Sequence, residues 1–206
     1  MHHLEPELKP VAISDICPTQ MTVGMREVAR KRVAFAARAK SDGPTFLGHH
    51  MVPGIIGPKG RTYIIDNHHL VRALHDDGVE HVLISFVADL SKLAKPLFWT
   101  FMENRNWLHP YNAAGERVSH TEIPKSIDKL SDDPYRSLAG EVREAGGYAK
   151  DMTPYAEFLW ADFLRHQIDA KTVAKDFDAA LKSAVKIAHQ AAASYLPGWC
   201  ARSKKA

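Results

Sequence analysis

Apolar residues follow two rhythms along this chain, short strand-like runs interleaved with helical spacing up to about Asp89 and recurrence every three to four positions beyond it. Lys9 to Ile16 alternates well enough to predict a short strand, and Pro18-Thr19-Gln20 then turns the chain. From Thr22, read as an N-cap, the positions Met25, Val28, Ala29, Val33, Ala36 and Ala37 mark one helical face, which Ser41-Asp42-Gly43-Pro44 ends. His49 to Ile56 and Arg61 to Ile65 predict two strands joined at Gly57-Pro58-Lys59-Gly60, where Gly and Pro suit a hairpin. At Ile65 the period changes within two residues. Tyr63, Ile64 and Ile65 favour a strand, Asp66 and Asn67 are good N-caps, and Leu70, Val71, Ala73 and Leu74 form a helical face. Asp77-Gly78 breaks that helix, and His81 to Val87 predicts a buried strand.

From Pro96 the pattern is helical. Helices are predicted over Leu97 to Trp107, Ser137 to Ala145 and Pro154 to Ile168, and a single long one over Thr172 to Tyr195 with a stripe of Val173, Phe177, Ala180, Leu181, Ala184, Ala188, Ala191 and Tyr195. The fold class is therefore α/β or α+β: a small mixed sheet between Val11 and Asp89 with flanking helices, then a helical C-terminal half. The handover near Gln167 to Ala170 divides the chain into residues 9–168 and a C-terminal helical appendage, 169–206. The stripe of the last helix offers a homodimer face, and Lys171, Lys175, Lys182 and Lys186 largely lie off it as a solvated surface.

Composition narrows the class without naming a partner. A length of 206 residues with 45% hydrophobic and 25% charged residues is enough for a core that needs no disulfides. The net charge of +3 is too small for a dedicated nucleic-acid stripe. Cys17 and Cys200 stand alone at opposite ends, so no Cys-x-x-Cys zinc or redox pair exists and a reducing, cytoplasmic setting is expected. No run approaches the roughly 20 apolar residues of a membrane span.

The candidate chemistry gathers at the strand-to-helix turn. Backbone N–H groups at a helix start point outward without intrahelical partners, and the helix dipole favours an anion there. Asp66 reads either as a cap or as a general base or Mg²⁺ ligand. His68 and His69 diverge by about 100° on a helix, so only one is expected to face a ligand. His49 and His50 diverge likewise in extended chain, and one residue of each pair with Asp66 would make a His/His/carboxylate metal site. Thr19 and Gln20 read as ligand contacts or turn caps. Tyr135, Arg136 and Ser137 follow Asp132-Asp133-Pro134 at a helix start, where the arginine suits a bidentate grip on a second anion. Trp99, Phe101, Trp107 and Tyr111 read as core, with base stacking as the alternative.

Strand, Asp66-Asn67-His68-His69, helix is similar to the phosphate-binding turn of the ParB/sulfiredoxin fold. Ile16 to Gly24, the Asp133-Pro134-Tyr135-Arg136-Ser137-Leu138 box and Glu157 to Phe163 resemble the ParB-like nuclease subfamily of that fold, with the likeness running from about Val11 to Arg165. The resemblance implies a sheet of ParB/sulfiredoxin type and a nucleotide or phosphate held at the turn by Thr19, Gln20, Asn67, Arg72, Tyr135, Arg136 and Ser137. It further implies Asp66, His68 and His69 as catalytic groups. The box departs from its relatives: it lacks the cysteine that sulfiredoxins use, and Leu70 stands where many members have arginine, with Arg72 as the replacement. The implied functions are metal-assisted phosphodiester hydrolysis, a kinase of a small hydroxyl substrate resembling the free-serine kinases, or a nucleotide-binding or DNA-partition adaptor without turnover. The resemblance implies a divalent ion such as Mg²⁺ and a nucleotide as cofactors, and a phosphate-bearing partner, nucleotide or nucleic acid.

Overall fold

The structure is a computed structural model that describes residues 7–42 and 51–201. Its contacts separate two compact units, Met1–Val23 with Val28–Ser131, and Gly24–Glu27 with Asp132–Ala206.

The first unit holds a five-stranded mixed sheet. Its strands are β1 (Glu7–Ala12), β2 (Ile16–Cys17), β4 (Val52–Ile56), β5 (Thr62–Ile64) and β6 (His81–Asp89), in the order β1-β6-β4-β5-β2. β6 pairs antiparallel with β1 and parallel with β4, while β5 pairs antiparallel with β4 and parallel with β2. The single strand predicted over Lys9 to Ile16 is thus two strands on opposite edges, separated by a 3-10 turn at Ile13–Asp15. Four residue steps from Ala12 to Ile16 reach at most roughly 14 Å, whereas a flat five-stranded sheet would put its edges about 19 Å apart. The sheet therefore curls.

The predicted hairpin joins β4 to β5. Gly57 N–H donates to the Arg61 carbonyl at 2.8 Å, and Lys59 and Gly60 take φ of 64° and 70° to turn the chain. β6 is less enclosed than its apolar run suggests: Val82 and Ile84 are buried, but Val87 is 50% exposed. Helix α2 (His68–Asp76) buries Leu70, Val71, Ala73 and Leu74, as the periodicity predicts. Helix α3 (Lys95–Asn104) packs Phe98 and Met102 into a cluster with Ile55, Tyr63, Leu108 and Ile123. Phe98 lies 5.1 Å from Tyr63 and 4.9 Å from Trp99, centroid to centroid, so these aromatics build core. The helix predicted from Thr22 starts later, as α1 (Met25–Asp42), because Thr22–Val23 is the short strand β3.

The second unit is helical: α4 (Pro134–Glu144), α5 (Ala156–Gln167), α6 (Ala170–Lys175) and α7 (Phe177–Ala188). The predicted helix over Thr172 to Tyr195 breaks at Asp176, whose φ of −145° is not helical and whose carboxylate accepts the Ala179 N–H at 3.0 Å to cap α7. Ala180, Ala184 and Ala188 are fully buried in one core with Leu138, Ala139, Val142, Trp160 and Leu164. Most of the stripe read as a dimer face packs inside this unit, while Ala191 and Tyr195 remain exposed. The same core includes residues on both sides of Gln167–Ala170, so the contact boundary falls between Ser131 and Asp132 instead.

A candidate phosphate-binding turn

β5 feeds α2 through Ile65, Asp66 and Asn67. Asn67 takes φ 62° and ψ 23°, a left-handed conformation that asparagine tolerates, and this bend reverses the chain into the helix. Asn67 is the residue before α2, yet its side chain makes no hydrogen bond into the first turn. Its amide nitrogen reaches the Met51 carbonyl at 3.4 Å. Asp66 does not cap either: its Oδ1 accepts the Asn67 N–H at 2.7 Å, and the residue remains exposed. The helix therefore begins without a side-chain cap, beside one solvent-facing carboxylate.

His68 holds this turn in place. Its Nε2 accepts the Thr19 N–H at 3.0 Å, and Thr19 Oγ1 donates to the Ile64 carbonyl at 2.8 Å. A backbone N–H only donates, so Nε2 is unprotonated and the neutral ring carries its proton on Nδ1. Burial, helped by His109, lowers the pKa from 6.5 to about 3. The nitrogen that a general base would use is already occupied. His109 N–H donates to the Thr19 carbonyl at 2.8 Å, and Gln20 Nε2 donates to the Thr22 carbonyl at 2.7 Å. Thr19 and Gln20 thus spend polar groups on the scaffold.

His69 is also buried, at 7% exposure. Both histidines of the turn are thus buried. Arg72 donates from Nε to both Asp76 oxygens, at 2.9 and 3.1 Å, and from a terminal nitrogen to the Leu130 carbonyl at 2.8 Å. His49 and His50 lie outside the described residues, and among the described ones no three His, Cys, Asp or Glu gather in a metal-binding group.

Tyr135, Arg136 and Ser137 belong to the second unit, at the start of α4. Asp133 caps that helix, accepting N–H groups from Tyr135 and Arg136, and its other oxygen accepts from Arg165 at 2.7 Å. Burial pushes the Asp133 carboxyl up, against the pull of Arg165 and the two N–H groups. Arg136 pairs with Glu27 at 3.2 Å and lies over the Phe158 ring at 5.4 Å. Tyr135 OH donates to the Ile168 carbonyl at 2.7 Å, and Ser137 Oγ accepts the Arg26 N–H at 3.3 Å. These three side chains are all engaged within their own unit.

Residues 9–166 match the family model described as "Putative ParB-like nuclease". The chain belongs to this ParB-like family. It is similar over 97% of its length to the whole of protein Atu1540 from Agrobacterium tumefaciens, with 50% identity and a TM-score of 0.90. A truncated chromosome-partitioning protein ParB from Caulobacter crescentus, solved with CTP-γ-S, is 14% identical over 90% of this chain and 93% of that one. Its TM-score is 0.30. No curated protein matches the chain.

Within this ParB-like fold, pattern reading overlooks two residues. His109 sits in an irregular segment, yet it binds Thr19 through its backbone and lowers the His68 pKa through its charge. Arg165 looks like an ordinary last-turn cation, and its reach to Asp133 across 32 positions leaves no local mark in the sequence.

Proposed function

We propose that this ParB-like chain binds a phosphate-bearing ligand, a nucleotide or a nucleic-acid phosphate, at the start of α2, with Asp66 as the group through which phosphoester chemistry runs. The observation that carries the reading is the helix start without a side-chain cap. Outward N–H groups and the helix dipole suit a phosphate there. The Thr19–His68 contact supports the reading, because it fixes the turn in advance and lowers the ordering cost of binding.

An exposed carboxylate beside that start repels a phosphate unless a cation lies between them. Mg²⁺ is commonly held by one or two carboxylates together with phosphate oxygens and water, and Asp66 fits that donor set. A transition-metal cage of two histidines and a carboxylate has no support among the described residues. When bound, such an ion would neutralise phosphate charge and activate water. The chain's own part is to seat the phosphate on α2, to hold the turn through His68, and to present Asp66. The family description favours hydrolysis of a phosphodiester, and transfer to a small hydroxyl substrate would use the same carboxylate as proton acceptor.

One observation favours a second reading, a nucleotide-binding or DNA-partition adaptor without turnover: within residues 66–69 only Asp66 is both ionisable and exposed. Calorimetric titration with ATP, CTP and a duplex oligonucleotide, with and without Mg²⁺, tests the shared claim, and incubation with plasmid separates the readings. We expect Mg²⁺-dependent nucleotide binding that Asp66→Ala removes. Cleaved plasmid supports the hydrolase and unconsumed nucleotide the adaptor. Failure of every phosphate ligand to bind overturns both.

A further inference from the structure

A cavity of about 220 Å³ in the first unit shares no residue with the Asp66–His69 turn or with Thr19 and Gln20. Its walls include Arg61, Lys95 and Lys125, and no acidic residue lines it. All three cations are exposed, whereas Tyr63 and Ile123 are buried, so the charge lies toward solvent and the apolar surface toward the floor. None of the three makes an ion pair with a carboxylate among the described residues. The charge of Arg61 acts on both the Cys17 thiol and the Tyr63 hydroxyl, which line the same cavity.

The wall is aromatic. Trp99 meets Tyr63 edge-on at 5.8 Å, and His120 stacks on Trp99 at 5.0 Å with 27° between the planes. The Trp99 Nε1–H is buried without a hydrogen-bond partner among the described residues. An orphaned buried donor is costly, and in native proteins it usually marks a place where water or ligand supplies the acceptor. Three cations without a carboxylate partner among the described residues and an aromatic wall together define the site, and the buried Trp99 donor lies in that wall.

We infer that this cavity binds a small aromatic anion: one planar ring carrying a carboxylate or phosphate, with the ring against the Trp99–His120 wall and the anionic group toward Arg61, Lys95 and Lys125. The volume lies below the roughly 300–1,000 Å³ of drug-sized sites, which restricts the ligand to about one ring. Burial pushes the Cys17 thiol up, against the pull of Arg61. The site stands independently of the phosphate reading at α2.

The test is titration of the full chain with benzoate and phenyl phosphate, read at the Trp99 indole N–H in two-dimensional NMR. The chain has four tryptophans, so Trp99→Phe identifies the signal. We expect a saturable shift, with an affinity weakened by roughly tenfold or more in the Arg61→Gln, Lys125→Gln double variant. Lys95→Gln checks the same charge from α3, and an unchanged Trp107 signal, from the core of the same unit, verifies folding. Asp66→Ala should leave the benzoate affinity as it is. No saturable shift by about 20 mM, a scale on which binding is negligible, overturns the inference. So does equal binding of benzyl alcohol, equal binding of inorganic phosphate, or an affinity indifferent to the charge variants.

Discussion

At the residue scale, His68 changes its meaning between sequence and structure. Beside Asp66 it reads as a catalytic base; in the fold it is a neutral fastener whose free nitrogen accepts a backbone N–H. This has a pH signature. A folded-state pKa near 3 against an ordinary 6.5 means that the unfolded chain takes up a proton in that window and the folded chain does not. Its contribution to stability is present above pH 6.5 and is lost as pH falls toward 3, at up to about 1.4 kcal/mol per pH unit. Denaturant titrations at several pH values should show His68→Gln with a shallower acid loss than the parent; identical slopes would contradict the assignment. Asp133→Asn should cost about 3–5 kcal/mol, because it leaves Arg165 and its fellow groups without their buried counter-charge. Gly198→Ala should cost at least about 2 kcal/mol, since φ is 72° there and a Cβ would stand 2.0 Å from the Ala149 carbonyl oxygen. None of these costs is readable from residue type alone, because each depends on a partner distant in sequence.

At the scale of elements, what was legible is what local physics determines. The Tyr63-Ile64-Ile65 run, the break at Asp66-Asn67 and the Leu70–Leu74 face locate β5 and α2, and Gly57 to Gly60 locates the hairpin. Two elements were misread for the same reason. Lys9 to Ile16 alternates throughout, yet the 3-10 turn at Ile13–Asp15 carries the chain from one sheet edge to the other, and only the curl of the whole sheet calls for it. Thr172 to Tyr195 keeps its stripe through Asp176, yet that aspartate caps α7 and ends the continuity. Asp176→Ala should remove that cap at a cost of about 0.5–2 kcal/mol in thermal unfolding. A variant as stable as the parent would mean the break has another cause.

At the scale of the molecule, two units divide the work of the sequence motifs. The turn of Asp66 to His69 and its Thr19–His109 supports lie in the sheet unit, while the Asp133-Pro134-Tyr135-Arg136 box builds the helical one around a buried acid and two arginines. The C-terminal helices complete that second core, so the chain from Ala170 to Trp199 is part of its stability. Removing them should expose Leu138, Val142 and Trp160 and leave the helical unit unfolded, as limited proteolysis would report. Family membership was legible because its boxes are local strings. The roles of their members were not, because burial and pairing decide whether a histidine or arginine meets a ligand or the core.

The central claim is that the start of α2 is the ligand seat, and backbone amide shifts test it most directly. On titration with Mg²⁺ and ATP or CTP, the largest shifts should fall on His68, His69 and Leu70, and Asp66→Ala should abolish them while the rest of the spectrum stays folded. Saturable nucleotide binding that leaves those three amides unmoved would contradict the account.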